Sequence, residues 1–257
     1  MSRLQNIRSY ACYYGTGQLD QLQRFSLAIL QPGNYSPDEI TDLSARGTLT
    51  LGYLSLGESA VLIEGASWYL RDGAGCLIKN PNWNTYYVDT RDSAWLAYLL
   101  TTCIPTILDL RRFDGLFLDT LDSQDLFPKI RDGSIALVHA ICTAFPDAIL
   151  VANRGFTILD HIAADLDGVV FECFSTYYHA GRYSAWDPPR SEYNARLADR
   201  LSGLRRTCSL VIFALDYALP SDVEPIEYAS RRARARDFIP YVSTVHLDQL
   251  YFFPRAA

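Results

Sequence analysis

At 257 residues, with 49% hydrophobic and 13% aromatic side chains, the chain has the length of one large folded domain and too much apolar content to be disordered. Its formal net charge of -6 argues against nucleic acid as a partner and is compatible with a cationic substrate. The six cysteines (Cys12, Cys76, Cys103, Cys142, Cys173 and Cys208) form no CxxC pair and the four histidines show no metal-ligand spacing, so unpaired thiols and no zinc site are expected.

No apolar run approaches the roughly 20 residues that a membrane span needs, so no membrane partner is expected. The opening MSRLQNIRSYACYYG holds no signal-peptide apolar region. The expectation is a cytoplasmic monomer for the chain as given, or an exported protein whose leader has been removed.

Eight short apolar runs read as strands. The first is Ser9–Tyr14 and the second Phe25–Leu30, which ends at Gln31, Pro32 and Gly33. A helix follows, with Ser36 as N-cap, Pro37 in the first turn, Asp38 and Glu39 at its positive end, and Gly47 beyond its close. The third strand, Leu49–Leu54, leads through Ser55 and Glu58 into a long aromatic segment, Ser59–Asp92. A helix over Ser93–Leu110 precedes the fourth strand, in FDGLFLDTLD (Phe113–Asp122). A helix near Gly133–Ala144, the fifth strand Ala148–Ala152, a short helix near Thr157–Ala164 and the sixth strand Gly168–Phe171 come next. A second aromatic loop with Tyr177, Tyr178, Tyr183 and Trp186 leads to a helix near Ser191–Arg205. The seventh strand, Ser209–Ala214, ends at Asp216 and Tyr217. A helix over Val223–Arg236, the eighth strand Phe238–Val242 and a last helix near Val245 complete the chain.

Strands alternating with helices over this length predict one (β/α)₈ TIM barrel spanning residues 1–257. An open doubly wound sheet is the alternative, and no glycine-rich dinucleotide fingerprint follows the first strand. In a barrel the residues just past each strand share the catalytic face. Here they are Tyr14, Gln31, Ser55 with Glu58, Asp119 with Asp122, Asn153 with Arg154, Glu172, Asp216 with Tyr217, and Ser243. Strand beginnings are blander, and Asp114-Gly115 and Asp167-Gly168 read as turns.

Asp119 and Glu172 each close a fully apolar strand, on the fourth and sixth strands, and can face one another across the mouth. A pair of carboxylates is what glycoside hydrolysis requires. Apolar Phe171, Cys173 and Phe174 are expected to raise the Glu172 pKa toward that of a general acid. Thr120, with Asn153 or Tyr14, is expected to keep Asp119 ionised. Tyr14, Glu58, Asp122, Asn153, Asp216 and Tyr217 are candidate substrate-binding residues. Glu58 and Asp216 serve equally well as loop caps, and Asp122 reads better as a helix cap or surface group. Trp83, Tyr86, Tyr177, Tyr178 and Trp186 are candidates for stacking on sugars, although such loops more often pack on themselves. The basic run Arg231–Arg236 reads as a solvated helix face.

YLSLGE (Tyr53–Glu58), FDGLFLDTLD, Asn153 in ILVANRG and VVFE (Val169–Glu172) together resemble the endo-α-1,4-polygalactosaminidases of glycoside hydrolase family 114. The resemblance implies a TIM barrel that cleaves α-1,4-linked galactosamine polymers without metal or organic cofactor. It places the family's catalytic carboxylates on Asp119 and Glu172. Nucleophile on the fourth strand and acid/base on the sixth is also similar to retaining α-galactosidase barrels. The chain departs from the family in reading RFDG where GFDG is usual. Free amines on galactosamine would suit a mouth made acidic by Glu58, Asp119, Asp122, Glu172 and Asp216. Two rival readings are a carbohydrate-binding barrel without activity and a metal-dependent lyase or aldolase.

Overall fold

The computed structural model describes residues 3–251. Eight parallel strands pair in sequence order: β1 (Tyr10–Tyr13), β2 (Leu27–Leu30), β3 (Leu49–Ser55), β4 (Gly115–Asp119), β5 (Ile149–Asn153), β6 (Gly168–Glu172), β7 (Val211–Tyr217) and β8 (Ile239–Ser243). All eight expected strands are present, with ends moved by at most three residues. β8 returns beside β1, where the Tyr10 and Tyr241 rings lie 5.6 Å apart and the Tyr14 amide donates to the Leu247 carbonyl at 2.6 Å. The result is a nearly closed barrel. Its strands are buried on both faces, which is why they read as continuous apolar runs rather than alternating ones.

Local signals explain the helices around it. Pro37–Ala45 begins at a capping box: the Glu39 amide donates to Ser36 Oγ at 3.3 Å and the Ser36 amide to the Glu39 carboxylate at 2.8 Å. Ser93–Tyr98 starts where Asp92 accepts the Ala94 amide at 2.8 Å, then widens into π-turns at Leu99–Cys103 and Thr106–Leu110, on either side of Pro105. Contrary to expectation, Ser93–Leu110 is long and apolar enough to cross a membrane by length and composition, with a mean hydropathy of 1.3 over 18 residues. Trp95, Leu99, Ile104 and Ile107 are buried on the barrel, and Thr101, Thr102, Thr106 and Asp109 face outward.

Arg131–Ala144, Leu159–Ile162, Pro188–Cys208 and Val223–Arg234 supply the other expected helices. The helix expected near Val245 is absent through residue 251, because that backbone is engaged elsewhere: the Val245 amide donates to the Tyr183 hydroxyl and the Leu247 carbonyl accepts from the Tyr14 amide. Residues 252–257 lie outside the described residues. The Arg231–Arg236 run is not simply a solvated face. Arg232 and Arg236 lie over the Phe174 ring at 4.7 and 5.9 Å, and Arg232 donates to Ser191 O at 2.7 Å. All six cysteines are unpaired.

The two aromatic segments form small sheets on the C-terminal face. Glu58–Ser59, Thr85–Tyr87 and Lys79–Asn80 make a three-stranded antiparallel sheet, and Thr176–His179 pairs with Arg182–Ala185 as a hairpin.

The two Asp-Gly pairs at the feet of β4 and β6 are strand pins rather than simple turns. Asp114 Oδ2 accepts the Thr50 amide at 2.7 Å and the Thr50 hydroxyl at 3.0 Å, tying β4 to β3. Asp167 Oδ2 accepts the Leu150 amide at 3.0 Å, tying β6 to β5, and Arg3 Nε and Nη2 pair with Asp167 at 2.9 and 2.7 Å. The glycines serve the opposite neighbours. A Cβ on Gly115 would meet the Ile149 carbonyl oxygen of β5 at 2.1 Å, and one on Gly168 would meet the Val211 carbonyl oxygen at 2.8 Å. Gly115→Ala is therefore expected to force β4 and β5 apart, costing about 1–3 kcal/mol or more. A fall in the urea midpoint checks this; an unchanged midpoint would show that the close approach is not required.

Candidate active site

Alternate side chains of a barrel strand enter the lumen. The register pairs Tyr53 with Phe117 and Ser55 with Asp119 across β3 and β4, Asn153 with Val170 across β5 and β6, and Glu172 with Leu215 across β6 and β7. Tyr53, Asp119, Asn153, Glu172 and Tyr217 thus all stand on inward positions near the C-terminal ends of their strands.

They meet there. Asn153 Nδ2 donates to Asp119 Oδ1 at 2.9 Å and to Glu172 Oε2 at 2.7 Å. The Tyr217 hydroxyl donates to Glu172 Oε1 at 2.6 Å. Asp119 also receives hydrogen bonds from the Tyr53 hydroxyl and the Thr120 backbone. The Tyr14 ring stands edge-on to Tyr53, with centroids 5.4 Å apart. Asp119, Glu172, Tyr14 and Tyr53 keep a window to solvent, whereas Asn153 and Tyr217 are buried beneath them. The latter two, candidate substrate-binding residues, hold the carboxylates, which for Asn153 is the contact with Asp119 that the sequence also suggests. Tyr53 is not among the residues past a strand end, but its place two residues before Ser55 on the same strand gives it the same inward parity.

Each of the three functional strand ends stops in the same way. Thr120, Arg154 and Cys173, which follow Asp119, Asn153 and Glu172, have φ of 62°, 55° and 57°. This left-handed region is unfavourable for side-chain-bearing residues, above all a β-branched Thr. Tertiary bonds hold it. Thr120 Oγ1 accepts from the Leu56 amide at 3.1 Å and the Gly57 amide at 2.7 Å. The Cys173 carbonyl accepts from Trp186 Nε1 at 2.7 Å and Asn194 Nδ2 at 3.2 Å. The strand ends at once, leaving the functional side chain as its last inward rung.

The electrostatics differ from expectation. Burial first, and the Glu172 charge second, push Asp119 above the usual carboxylate range, against the hydrogen bonds from Asn153, Thr120 and Tyr53. Glu172, despite its apolar sequence neighbours, directs its carboxyl to two polar donors. Burial, followed by nearby charges, also pushes the Tyr14, Tyr53 and Tyr217 hydroxyls up, so all three remain protonated donors.

The remaining acidic candidates are largely committed to protein partners. Glu58, buried, accepts from Asn80 Nδ2 at 3.1 Å and from the Thr85 hydroxyl, anchoring the three-stranded sheet. Asp216 is turned away from the lumen by strand alternation, and its Oδ1 accepts the Ser175 and Thr176 amides at 2.6 and 2.8 Å. Asp122 stays half-exposed at the mouth, paired with Arg154 at 3.2 Å; it occupies an N-cap position without making a side-chain cap bond. The surplus acidity expected to greet amines is therefore mostly spent inside the protein. The aromatics chiefly pack on one another: Tyr177 stacks on Trp186 at 3.8 Å, and Tyr86 meets Tyr69 edge-on at 5.8 Å. Trp83 and Tyr178 remain exposed. Among the described residues, no group of three or more His, Cys, Asp or Glu is gathered as metal ligands.

The model of glycoside-hydrolase family GH114 matches residues 9–257. The chain belongs to this family and is a glycosidase. The glycoside hydrolase domain of PelA from Pseudomonas aeruginosa is 25% identical, with a TM-score of 0.79 over 95% of this chain and 98% of that one. Ega3 of Aspergillus fumigatus, solved in complex with galactosamine, has a TM-score of 0.69 over 96% of each chain; at 12% identity that likeness shows the fold. An uncharacterized protein of Deinococcus radiodurans is 26% identical over 250 residues, 92% of this chain and 79% of its own length.

Burial raises the Asp216 carboxyl to about 7, against two amide hydrogen bonds and the Arg232 charge. A carboxyl raised in the folded state costs nothing below its unfolded-state pKa of about 3.9, costs progressively more as pH climbs, and costs its full amount above the folded value. Asp216→Asn retains an oxygen for both amides and loses the charge. Its melting temperature is expected to exceed that of the wild type at about pH 8, the gap closing toward about pH 4. A gap independent of pH would contradict this.

Proposed function

We propose that this GH114 hydrolase, working as one catalytic domain, cleaves α-1,4-linked galactosamine-containing polysaccharide within the chain and with retention, through Asp119 and Glu172. Family membership and the likeness to PelA support the substrate class, as does the galactosamine complex of Ega3, whose fold this chain shares. The observation that carries the chemistry is the single Asn153 nitrogen bonded to both carboxylates. Two oxygens on one nitrogen cannot lie farther apart than its two bonds, 2.9 and 2.7 Å, laid end to end. That bound holds for the two bonded oxygens, and so close an approach favours the roughly 5–5.5 Å of a nucleophile facing an acid over the roughly 6.5–9.5 Å that leaves room for an inverting water.

In the first step an Asp119 oxygen attacks the anomeric carbon while Glu172 gives its proton to the departing glycosidic oxygen. In the second, Glu172 takes a proton from water, which displaces Asp119 from the sugar. When Glu172 carries its proton, the charge that helps to raise Asp119 is gone. The donors on Asp119 then favour the carboxylate needed for attack. The Tyr217 hydroxyl, held protonated, steadies the Glu172 carboxyl through both steps.

Incubation with de-N-acetylated α-1,4-galactosamine oligomers tests this reading. The wild type is expected to yield shorter oligomers, and Glu172→Gln and Asp119→Asn to lose at least on the order of 10²-fold in rate. Because Asp119→Asn removes a charge that burial disfavours, its melting temperature at neutral pH is expected to match or exceed the wild type's. Oligomer binding without cleavage by the folded wild type would instead indicate a binding barrel.

A further inference from the structure

The spacing of the two carboxylates has a specific source. A primary amide is planar and carries two N–H bonds about 120° apart. One hydrogen serves Asp119 Oδ1 at 2.9 Å and the other Glu172 Oε2 at 2.7 Å. Two bonds of that length diverging from one nitrogen place the bonded oxygens about 5 Å apart. The amide is oriented nitrogen-inward, because reversal would aim its carbonyl at two carboxylate oxygens. This orientation leaves Asn153 Oδ1 buried, with no hydrogen-bond partner among the described residues. A buried acceptor without a partner costs stability, so this orientation favours the carboxylates at the expense of the amide's own carbonyl. Asn153 is only 7% exposed, lies on rigid β5 and is followed at once by Arg154 in the left-handed region, so its amide is fixed from below.

We propose that Asn153 is a positioning residue that sets the distance between Asp119 and Glu172: its one amide nitrogen spaces them for retention and keeps them too far apart to share a proton directly. The inference rests on the proposed catalytic pair, and it deepens that reading by naming what fixes the pair's geometry. Asn153 touches substrate only through the carboxylates. It therefore belongs to kcat rather than KM, and to the titration of Asp119.

Two variants and two readouts test it. Asn153→Ala removes both donors; Asn153→Asp keeps the shape but adds a third negative charge. Both are expected to lower kcat on the order of 10²-fold with KM changed only a few-fold. Asn153→Asp, the near-isosteric replacement, serves should the alanine variant not fold. The second readout needs no substrate. The carbon-13 carboxyl shift of Asp119, followed against pH in labelled protein, is expected to titrate at higher pH in both variants, because the Asn153 donor that favours its charged form is gone. Unmoved titrations would overturn the proposal whatever the substrate proves to be, and so would a change in KM alone or in melting temperature alone. Wild-type protein inactive on galactosamine oligomers but showing the shifted titrations in the variants would overturn the substrate reading and leave this one standing.

Discussion

Two carboxylates must stand close together at the inner end of an apolar barrel, and the surrounding structure answers that constraint. Unit charges about 5 Å apart repel by roughly 3 kcal/mol at an effective dielectric near 20. Hydrogen bonds to charged groups return about 1.5–3 kcal/mol each. Asn153 supplies two, Tyr217 one, and Tyr53 and the Thr120 backbone the rest. Together the donors outweigh the repulsion, and it is burial, more than the Glu172 charge, that nevertheless raises Asp119. Acid and nucleophile chemistry needs two neighbouring carboxyls held in unlike surroundings, and Asp119 and Glu172 share only the Asn153 donor.

Such balance tolerates little movement, and the strand framework supplies the rigidity. β4 and β6, which carry the carboxylates, share a plan from foot to tip. An aspartate accepts an amide of the preceding strand, a glycine admits the following strand, three apolar residues fill the core, and an acid closes the run. Left-handed residues at Thr120 and Cys173 then turn the chain away. The motif that carries the family resemblance therefore has two jobs: Asp114 and Gly115 fix the strand, and Asp119 occupies the mouth.

Much of this was legible in the sequence. The eight strands, the Pro37–Ala45 cap and the Asp119–Glu172 pair follow from continuous apolar runs, capping residues and polar strand ends. Position past a strand, however, did not say which way a side chain points. Asp216 and Tyr217 are adjacent, and alternation allows only Tyr217 to face Glu172. Glu58 and Asp216 look like site acids in sequence but serve amides and side chains from distant segments. Tyr53, hidden within the motif rather than at its end, became visible only through the β3–β4 register. Asn153 and the Thr120 backbone do favour the charged form of Asp119, as expected, but the upward push of burial is not legible, because sequence neighbours do not reveal cover by the opposite strands. The stacking of Arg232 and Arg236 on Phe174 likewise depends on a contact 58 and 62 residues away in the chain.

The chemistry of this barrel turns on Asp119 and Glu172 being spaced for a double displacement. Proton NMR of the reducing ends released in the first minutes of oligomer cleavage, before mutarotation, tests it most directly. The α-anomer is expected to appear first, with the β-anomer growing in later. The β-anomer appearing first would mean that water attacks directly, and would contradict both the retaining mechanism and the spacing assigned to Asn153.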